Sequence, residues 1–303
     1  VSMAVEELTE VPRLGPLYRG AGLTAARHRI LGGGGAPDTL PETELRVREV
    51  AVDRAHLARY DRVCGFRLSD ELPATYPHVL AFPLAVALMA RPDFPLGLVG
   101  LVHVANRIEV RRPLTAADRF ELRVRAEDLR PHERGRQVDL VAEALVDGEI
   151  AWTGRSVYLR REKRSGSGGG DRTGPPGGGD RRADRTAPPD ASAFWRVTPR
   201  VGTDYADVSG DHNPIHTSRI GARLLGFATP IAHGMWSKAR CLAALEGRLP
   251  RTYGVDVSFK LPVPLPSTVA FSATRSGVED WRFALHGAKS GKPHLSGEVI
   301  HRP

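Results

Sequence analysis

One stretch limits the fold more than any other: REKRSGSGGGDRTGPPGGGDRRADRTAPPDAS, Arg161 to Ser192. It holds almost no apolar side chains and is rich in Gly, Pro, Asp and Arg. A segment of that kind cannot bury enough surface to offset its ordering entropy, so it is expected to be a flexible linker. Any core must then be built on either side of it, from residues 1–160 and from residues 193–303. At 303 residues the chain is long enough to supply both.

The two sides read as diverged copies. Tyr60-Asp-Arg-Val63-Cys64-Gly65 parallels Tyr205-Ala-Asp-Val208-Ser209-Gly210, and NRIEVRRPL (Asn106 to Leu114) parallels VSFKLPVPL (Val257 to Leu265). Each side ends in segments of period-two alternation: RFELRVRAEDL and QVDLVAEALVDGEIAWTGRSVYLR in the first, STVAFSATRSG, DWRFALHGAK and LSGEVIH in the second. Alternation broken by Gly and Asp-Gly turns predicts antiparallel strands. Before those strands each side has one apolar helical candidate. In the second it is TPIAHGMWSKARCLAALEG, with Thr229 suited to cap, Pro230 to the first turn, and Gly247 to the stop. Ile231, Met235, Cys241, Leu242 and Leu245 would help make its buried face. In the first it is YPHVLAFPLAVALMA, nearly all apolar, as a helix wrapped by sheet would be. One buried helix followed by antiparallel strands, twice, is an α+β layering.

Several function classes lose support. The glycine runs, including Gly32 to Gly35, lack the Lys-Ser/Thr of a phosphate loop and the strand and helix of a dinucleotide turn. The two cysteines, Cys64 and Cys241, stand alone, which excludes a disulfide framework or zinc ribbon and fits a reducing cytoplasm. A net charge of +8 could attract nucleic acid, but aromatics at 6% are not interleaved with the basic residues. No nucleic-acid partner is expected. No run approaches the roughly 18 apolar residues of a membrane span, and VSMAVEELTEVPRLGPLY carries acids where an export signal would be basic.

The octapeptide SGDHNPIH, Ser209 to His216, is the chemical candidate. Pro214 disfavours helix at Asn213 and bends the chain, and in a bend residues five apart can point the same way. A carboxylate, Asp211, beside an imidazole, His216, is a serviceable acid/base pair near neutral pH. The competing reading is an Asx turn capping a short helix that begins near Thr217. AHGM (Ala232 to Met235) places Gly234 near a helix start, where a backbone N–H could serve a developing oxyanion; otherwise Gly234 only allows close packing. VSFKLPVPL reads as a strand leading to a proline bend, or as an ordinary edge strand with Lys260 in water.

Taken together, YADVSGDHNPIH, GFATPIAHGM and VSFKLPVPL resemble, in order and spacing, the MaoC-like (R)-specific enoyl-thioester hydratase/dehydratase family of the hot-dog fold. The resemblance covers Phe194 to Pro303. The whole chain is similar to the double-hot-dog acyl dehydratases. It implies an α+β protein of two fused hot-dog domains, each an antiparallel sheet around a central helix, paired as an intramolecular pseudo-dimer with a possible further homodimer. In the first copy Phe66 falls opposite Asp211, Leu68 opposite Asn213 and Glu71 opposite His216. That half (1–160) is therefore expected to be structural and acyl-chain-binding, with the apolar run Val79 to Ala90 the place to look for a groove. The catalytic domain is expected at 193–303.

The resemblance further implies reversible syn hydration of a trans-2-enoyl thioester to the (R)-3-hydroxyacyl thioester in fatty-acid or related acyl metabolism, with no metal or redox cofactor. Asp211 and His216 would handle the water and its protons, Asn213 would orient them, and the Gly234 N–H would hold the thioester carbonyl. His233, Phe259 and Lys260 would contact substrate. Coenzyme A or acyl carrier protein would be the anionic handle, met by Arg219, Arg223 or Lys260, in the cytoplasm and without a membrane partner. His212, at the variable position, is expected to face solvent or to pack. A hot-dog acyl-thioesterase, or a non-catalytic acyl-thioester binding subunit, are the other readings; fold alone does not choose.

Overall fold

The computed structural model describes residues 3–18, 37–98, 100–162 and 190–302. The Gly32 to Gly35 run, and the expected linker apart from its ends, lie outside the described residues. The described residues form eleven strands: β1 (Ala4–Leu8), β2 (Thr43–Ala51), β3 (Leu101–Val110), β4 (Arg119–His132), β5 (Gly135–Val146), β6 (Glu149–Arg161), β7 (Ala193–Val197), β8 (Tyr253–Phe259), β9 (Ser267–Arg275), β10 (Trp281–Gly287) and β11 (Pro293–His301). The helices are α1 (Arg54–Cys64), α2 (Tyr76–Met89), α3 (Arg200–Ser209), α4 (Pro214–Thr217), α5 (Arg219–Leu224) and α6 (Gly234–Ala244).

These strands join one sheet, in the order β1-β2-β4-β5-β6-β3-β8-β11-β10-β9-β7. Among the described strands only β1–β2 is a parallel pair. Read inward from the two ends of the sheet, β2-β4-β5-β6-β3 is matched by β7-β9-β10-β11-β8, so each half runs its five strands in the same sequence toward the middle. The halves meet edge to edge where β3 pairs antiparallel with β8, from Ala105 opposite Ser258 to Val110 opposite Tyr253. Strand β8 is thus an interior strand, not the edge strand that VSFKLPVPL could have been.

Local chemistry explains the strands. The β5–β6 hairpin turns on Asp147 and Gly148, both at positive φ (52° and 83°), the two-residue turn whose twist matches antiparallel strands. Helix α2 is apolar all round, and accordingly it is a core helix: Leu84, Val86 and Leu88 are fully buried against the sheet.

Helix α6 starts later than the sequence suggests. Thr229 and Pro230 are not its cap and first turn. The chain there is held extended, with Ile231 bridged to Pro264 and the Ala232 N–H donating to the Val263 carbonyl at 2.9 Å. Tertiary hydrogen bonds outweigh the local helix signal, and Ile231 leaves the helix. Met235, Cys241 and Leu242 keep their buried places, Leu245 caps the end, and Gly247 follows at φ 76°.

One polar residue inside this packing was not foreseen. Lys238, fully buried on α6, donates from Nζ to the Asn106 carbonyl (3.1 Å), Asn106 Oδ1 (2.6 Å) and the Val255 carbonyl (3.1 Å). Asn106 Nδ2 in turn donates to Ser156 Oγ at 3.0 Å. A helix of the second half is thereby tied to β3 and β8 at the seam. Burial pushes the Lys238 amine well below its ordinary range.

Candidate active site

Helix α3 ends at Gly210, which takes φ 75° and donates its N–H to the Ala206 carbonyl at 2.8 Å. That left-handed cap suits glycine and turns the chain sharply into Asp211. The Asp211 carboxylate closes an Asx turn, Oδ1 accepting from the Asn213 N–H at 3.2 Å. Asn213 Oδ1 accepts from the Ile215 N–H at 3.2 Å and so caps α4, with Pro214 in the first turn. The octapeptide is a capped polar turn, and the turn brings Asp211 and His216 to one side. The helix begins at Pro214 rather than near Thr217. His212 is exposed.

His216 is buried on α4, and Nδ1 lies 2.8 Å from the Ile231 carbonyl. A carbonyl only accepts, so Nδ1 carries the proton and Nε2 holds the free lone pair. The segment 231–232, whose extended shape displaced the helix start, is thus what orients the imidazole. His233 caps α6 and stacks on His216 with ring centroids 3.6 Å apart. Its Nε2–H donates to the Asp211 backbone carbonyl at 2.9 Å, and the same nitrogen lies 3.9 Å from Asp211 Oδ2. Burial lowers both imidazoles; it takes His233 down to about 3, with the His216 ring adding to the effect. For His216 the Asp211 charge opposes burial without overcoming it. Both rings are neutral near pH 7, which leaves His216 able to take a proton.

Gly234, next to His233, is the first residue of α6, and a first-turn N–H has no intrahelical acceptor. A side chain there would meet the Phe259 ring, with a Cβ 3.1 to 3.3 Å from three of its atoms. The glycine lets the Phe259 ring lie close against the start of α6, whose first-turn N–H is backed by the helix dipole. Phe259 thus belongs to the site wall. Lys260, the next residue, is exposed.

The wall beyond Phe259 comes from the first half. His103 lies 5.0 Å (ring centroids) from Phe259, stacks on Tyr158 at 4.7 Å and faces His78 at 6.1 Å. A register shift in β3 between His103 and Ala105 re-aims this side chain. Burial lowers His78 to about 4 and His103 well below its usual range. The face of α2 toward the site carries His78 and Phe82, while Val79, Ala81 and Leu84 belong to the core. The sequence reading placed the groove on this helix but missed its polar lining, because His78 and His103 are remote from the octapeptide.

A second missed residue is Tyr18, whose hydroxyl donates to Asp211 Oδ1 at 3.4 Å across 193 positions. Asp211, His216 and His233 also form a cluster of metal-ligand type, with one potential donor atom of each within 4.8 Å of the others. Two of the four ring nitrogens in that cluster are already given to backbone carbonyls.

Residues 184–296 match the family model for the MaoC like domain. Over 262 residues the chain is 39% identical to 3-hydroxyacyl-thioester dehydratase X of Mycobacterium tuberculosis, covering 86% of this chain and 90% of that protein. The crystal structure of HtdX from the same organism superposes with a TM-score of 0.73 at 36% identity, over 86% of this chain and 100% of that one. The (R)-specific enoyl-CoA hydratase of Rhodospirillum rubrum is 37% identical over 103 residues, covering 31% of this chain and 72% of that enzyme.

Proposed function

The chain belongs to the MaoC-like dehydratase family, and from that membership we propose that it is a hydro-lyase that reversibly hydrates trans-2-enoyl thioesters to (R)-3-hydroxyacyl thioesters. The observation that carries the reading is the proximity of a carboxylate, a neutral imidazole and a helix-first glycine. His233 joins them, since it stacks on His216, bonds the Asp211 backbone and immediately precedes Gly234.

In the hydration direction, Asp211 and His216 Nε2 hold a water on one face of the enoyl group. Its oxygen bonds to C3 while the C2=C3 pair moves toward the thioester carbonyl, and a proton reaches C2 on the same face. The Gly234 N–H, at the positive end of α6, stabilises the enolate-like charge on the carbonyl oxygen. The α-hydrogen of a thioester is only weakly acidic, so base and oxyanion donor must act together. Dehydration is the reverse path. Asn213 acts by capping α4 and fixing the turn; its Oδ1 is already used by a backbone N–H.

Phe259, beside Gly234, contacts His103, which stacks on Tyr158 of the first half; this supports a first half that contains acyl chain rather than performs chemistry. The internal pair of halves would be the working unit, a homodimer of such chains being a further assembly. The reading includes a coenzyme A or acyl-carrier-protein handle and a cytoplasmic setting. Among the described residues no helix is long and apolar enough to cross a membrane.

The test is a series of enoyl-CoA substrates from crotonyl to long-chain, followed by loss of enoyl absorbance, with chiral analysis of the product. An (R)-3-hydroxyacyl product is expected. An (S) product, or free thiol release without hydration, would overturn the assignment.

A further inference from the structure

The N-terminal segment makes two adjoining contacts with the catalytic bend. Residues 14–18 form one helical turn. Leu14 sits on Gly210, its Cδ1 filling the space that a Cβ on the glycine would need. At the next position of the bend, the Tyr18 hydroxyl donates to Asp211 Oδ1. Leu14, Leu17 and Tyr18 also pack against the core, so the turn is anchored by apolar contact and not only by the hydroxyl.

Asp211 Oδ1 thus receives two donors, the Asn213 N–H and the Tyr18 hydroxyl. Oδ2 is the oxygen on the histidine side, 3.9 Å from His233 Nε2. A carboxylate held at one oxygen by two donors from different elements cannot swing about its last torsion without losing both. The groups facing Asp211 are Tyr18, His78 from α2, Tyr158 from β6, Tyr205 from α3, His216 from α4 and His233 at the α6 cap. Of these, Tyr18 is the one whose side chain donates to the carboxylate. Burial and the Asp211 charge raise the phenol far above its ordinary range, so the hydroxyl keeps its proton and remains a donor at any working pH.

We infer that Tyr18 is a positioning residue for the hydratase reaction: it divides the Asp211 carboxylate into an anchored oxygen, Oδ1, and a reacting oxygen, Oδ2, on the side of the stacked His233–His216 pair. The inference rests on the activity proposed above. It also gives the first 18 residues a part in a site otherwise built by the second half.

Tyr18→Phe keeps the ring and its packing and removes only the donor. A hydrogen bond of this kind corresponds to about a three- to tenfold fall in kcat. KM should stay within about twofold, because the substrate contacts are untouched, and the melting temperature should hold within a few degrees. Leu14→Ala, which loosens the same turn without altering Tyr18, should lower kcat in the same direction and by less. If Tyr18→Phe keeps kcat within twofold of wild type, or if its loss lies in KM, the inference is wrong. If the wild-type protein hydrates no enoyl thioester, the proposed activity itself fails and the inference goes with it. Wild-type hydration beside an unaffected Tyr18→Phe would remove the inference alone.

Discussion

Gly65 and Gly210 end equivalent helices, one in each half. Both adopt left-handed conformations, φ 81° and 75°, and both donate their N–H to the carbonyl four residues back, at 2.7 and 2.8 Å. Their neighbours correspond too: Tyr60 and Tyr205 are buried and approach each other with ring centroids 6.3 Å apart. Beyond the glycines the halves part. In the second, Asp211 turns inward and His216 is buried; in the first, Leu68 is 67% exposed and Glu71 lies in solvent. The next helix start differs as well. His233 and Gly234 open α6, whereas Thr75 and Tyr76 open α2, with Pro77 in its first turn. Tyr76, in place of a glycine, carries a buried ring there, and its hydroxyl is bonded to His56 Nδ1 at 2.8 Å. The first half lacks acid/base pair and open oxyanion donor together. A backbone plan survives duplication because packing maintains it, while a site needs several independent side chains and fails as a unit.

The comparison breaks most decisively at the dyad. Asp211→Asn or His216→Ala should lower kcat by about 10²- to 10⁴-fold, the usual worth of a positioned acid/base. The corresponding changes in the first half, Phe66→Ala and Glu71→Gln, should leave kcat within about threefold. Steady-state hydration of one enoyl-CoA, with circular dichroism to show that each variant is folded, checks all four. A first-half variant as damaged as the dyad variants would mean that both halves carry chemistry.

Next in size is the oxyanion position. Gly234→Ala retains the N–H but drives a methyl group into Phe259. A shift of about 1 Å at a reacting carbonyl costs on the order of 10²-fold in rate, so a fall of about 10- to 100-fold in kcat/KM is expected. Tyr76→Phe, which removes only the bond to His56 at the matching start of α2, should cost stability and little rate. Wild-type turnover by the Gly234→Ala enzyme would show that the substrate carbonyl binds elsewhere.

Much of this was legible in the sequence because its causes are local. Period-two alternation marks β4, β5, β6, β9, β10 and β11, Asp147-Gly148 marks a hairpin, and the shared Tyr…Gly pattern marks the repeat, though not that its two copies are the helices α1 and α3. Asp211, His216 and His233 lie close together, with Gly234 beside Phe259, through a proline bend and a helix start that are written in adjacent residues. What was not legible depends on partners far along the chain. The start of α6 is moved by hydrogen bonds to residues 263–265. Lys238 looks like an exposed residue in an apolar helix until β3 and β8 close over it. Tyr18 lies in a segment whose composition says nothing of a bend 193 positions away. Lys260, expected to meet an anionic handle, falls just past the end of β8 and is exposed.

The smallest effect compares how each half responds to acid. His233 from the second half is buried and His78 from the first half-buried, and both rings are lowered chiefly by desolvation, to about 3 and about 4. An unfolded histidine titrates near 6.5, so between that value and the lowered one the unfolded chain binds a proton that the folded chain does not. Stability is then fully present above about 6.5 and is lost as pH falls toward the folded value. At pH 5, about 1.5 units below the unfolded value, the loss is about 2 kcal/mol for each such ring. His233→Asn and His78→Asn should each flatten the decline in urea-unfolding free energy between pH 7 and pH 5 by about that amount, whatever their stability at pH 7. The two rings separate lower down. Below about pH 4 His78 has reached its folded value and its contribution levels off, while His233 continues to cost stability to about pH 3. Equal slopes for both variants between pH 4 and pH 3 would mean that the stacked pair in the second half is no more strongly desolvated than its first-half counterpart, and that the two walls of the recess are electrostatically alike.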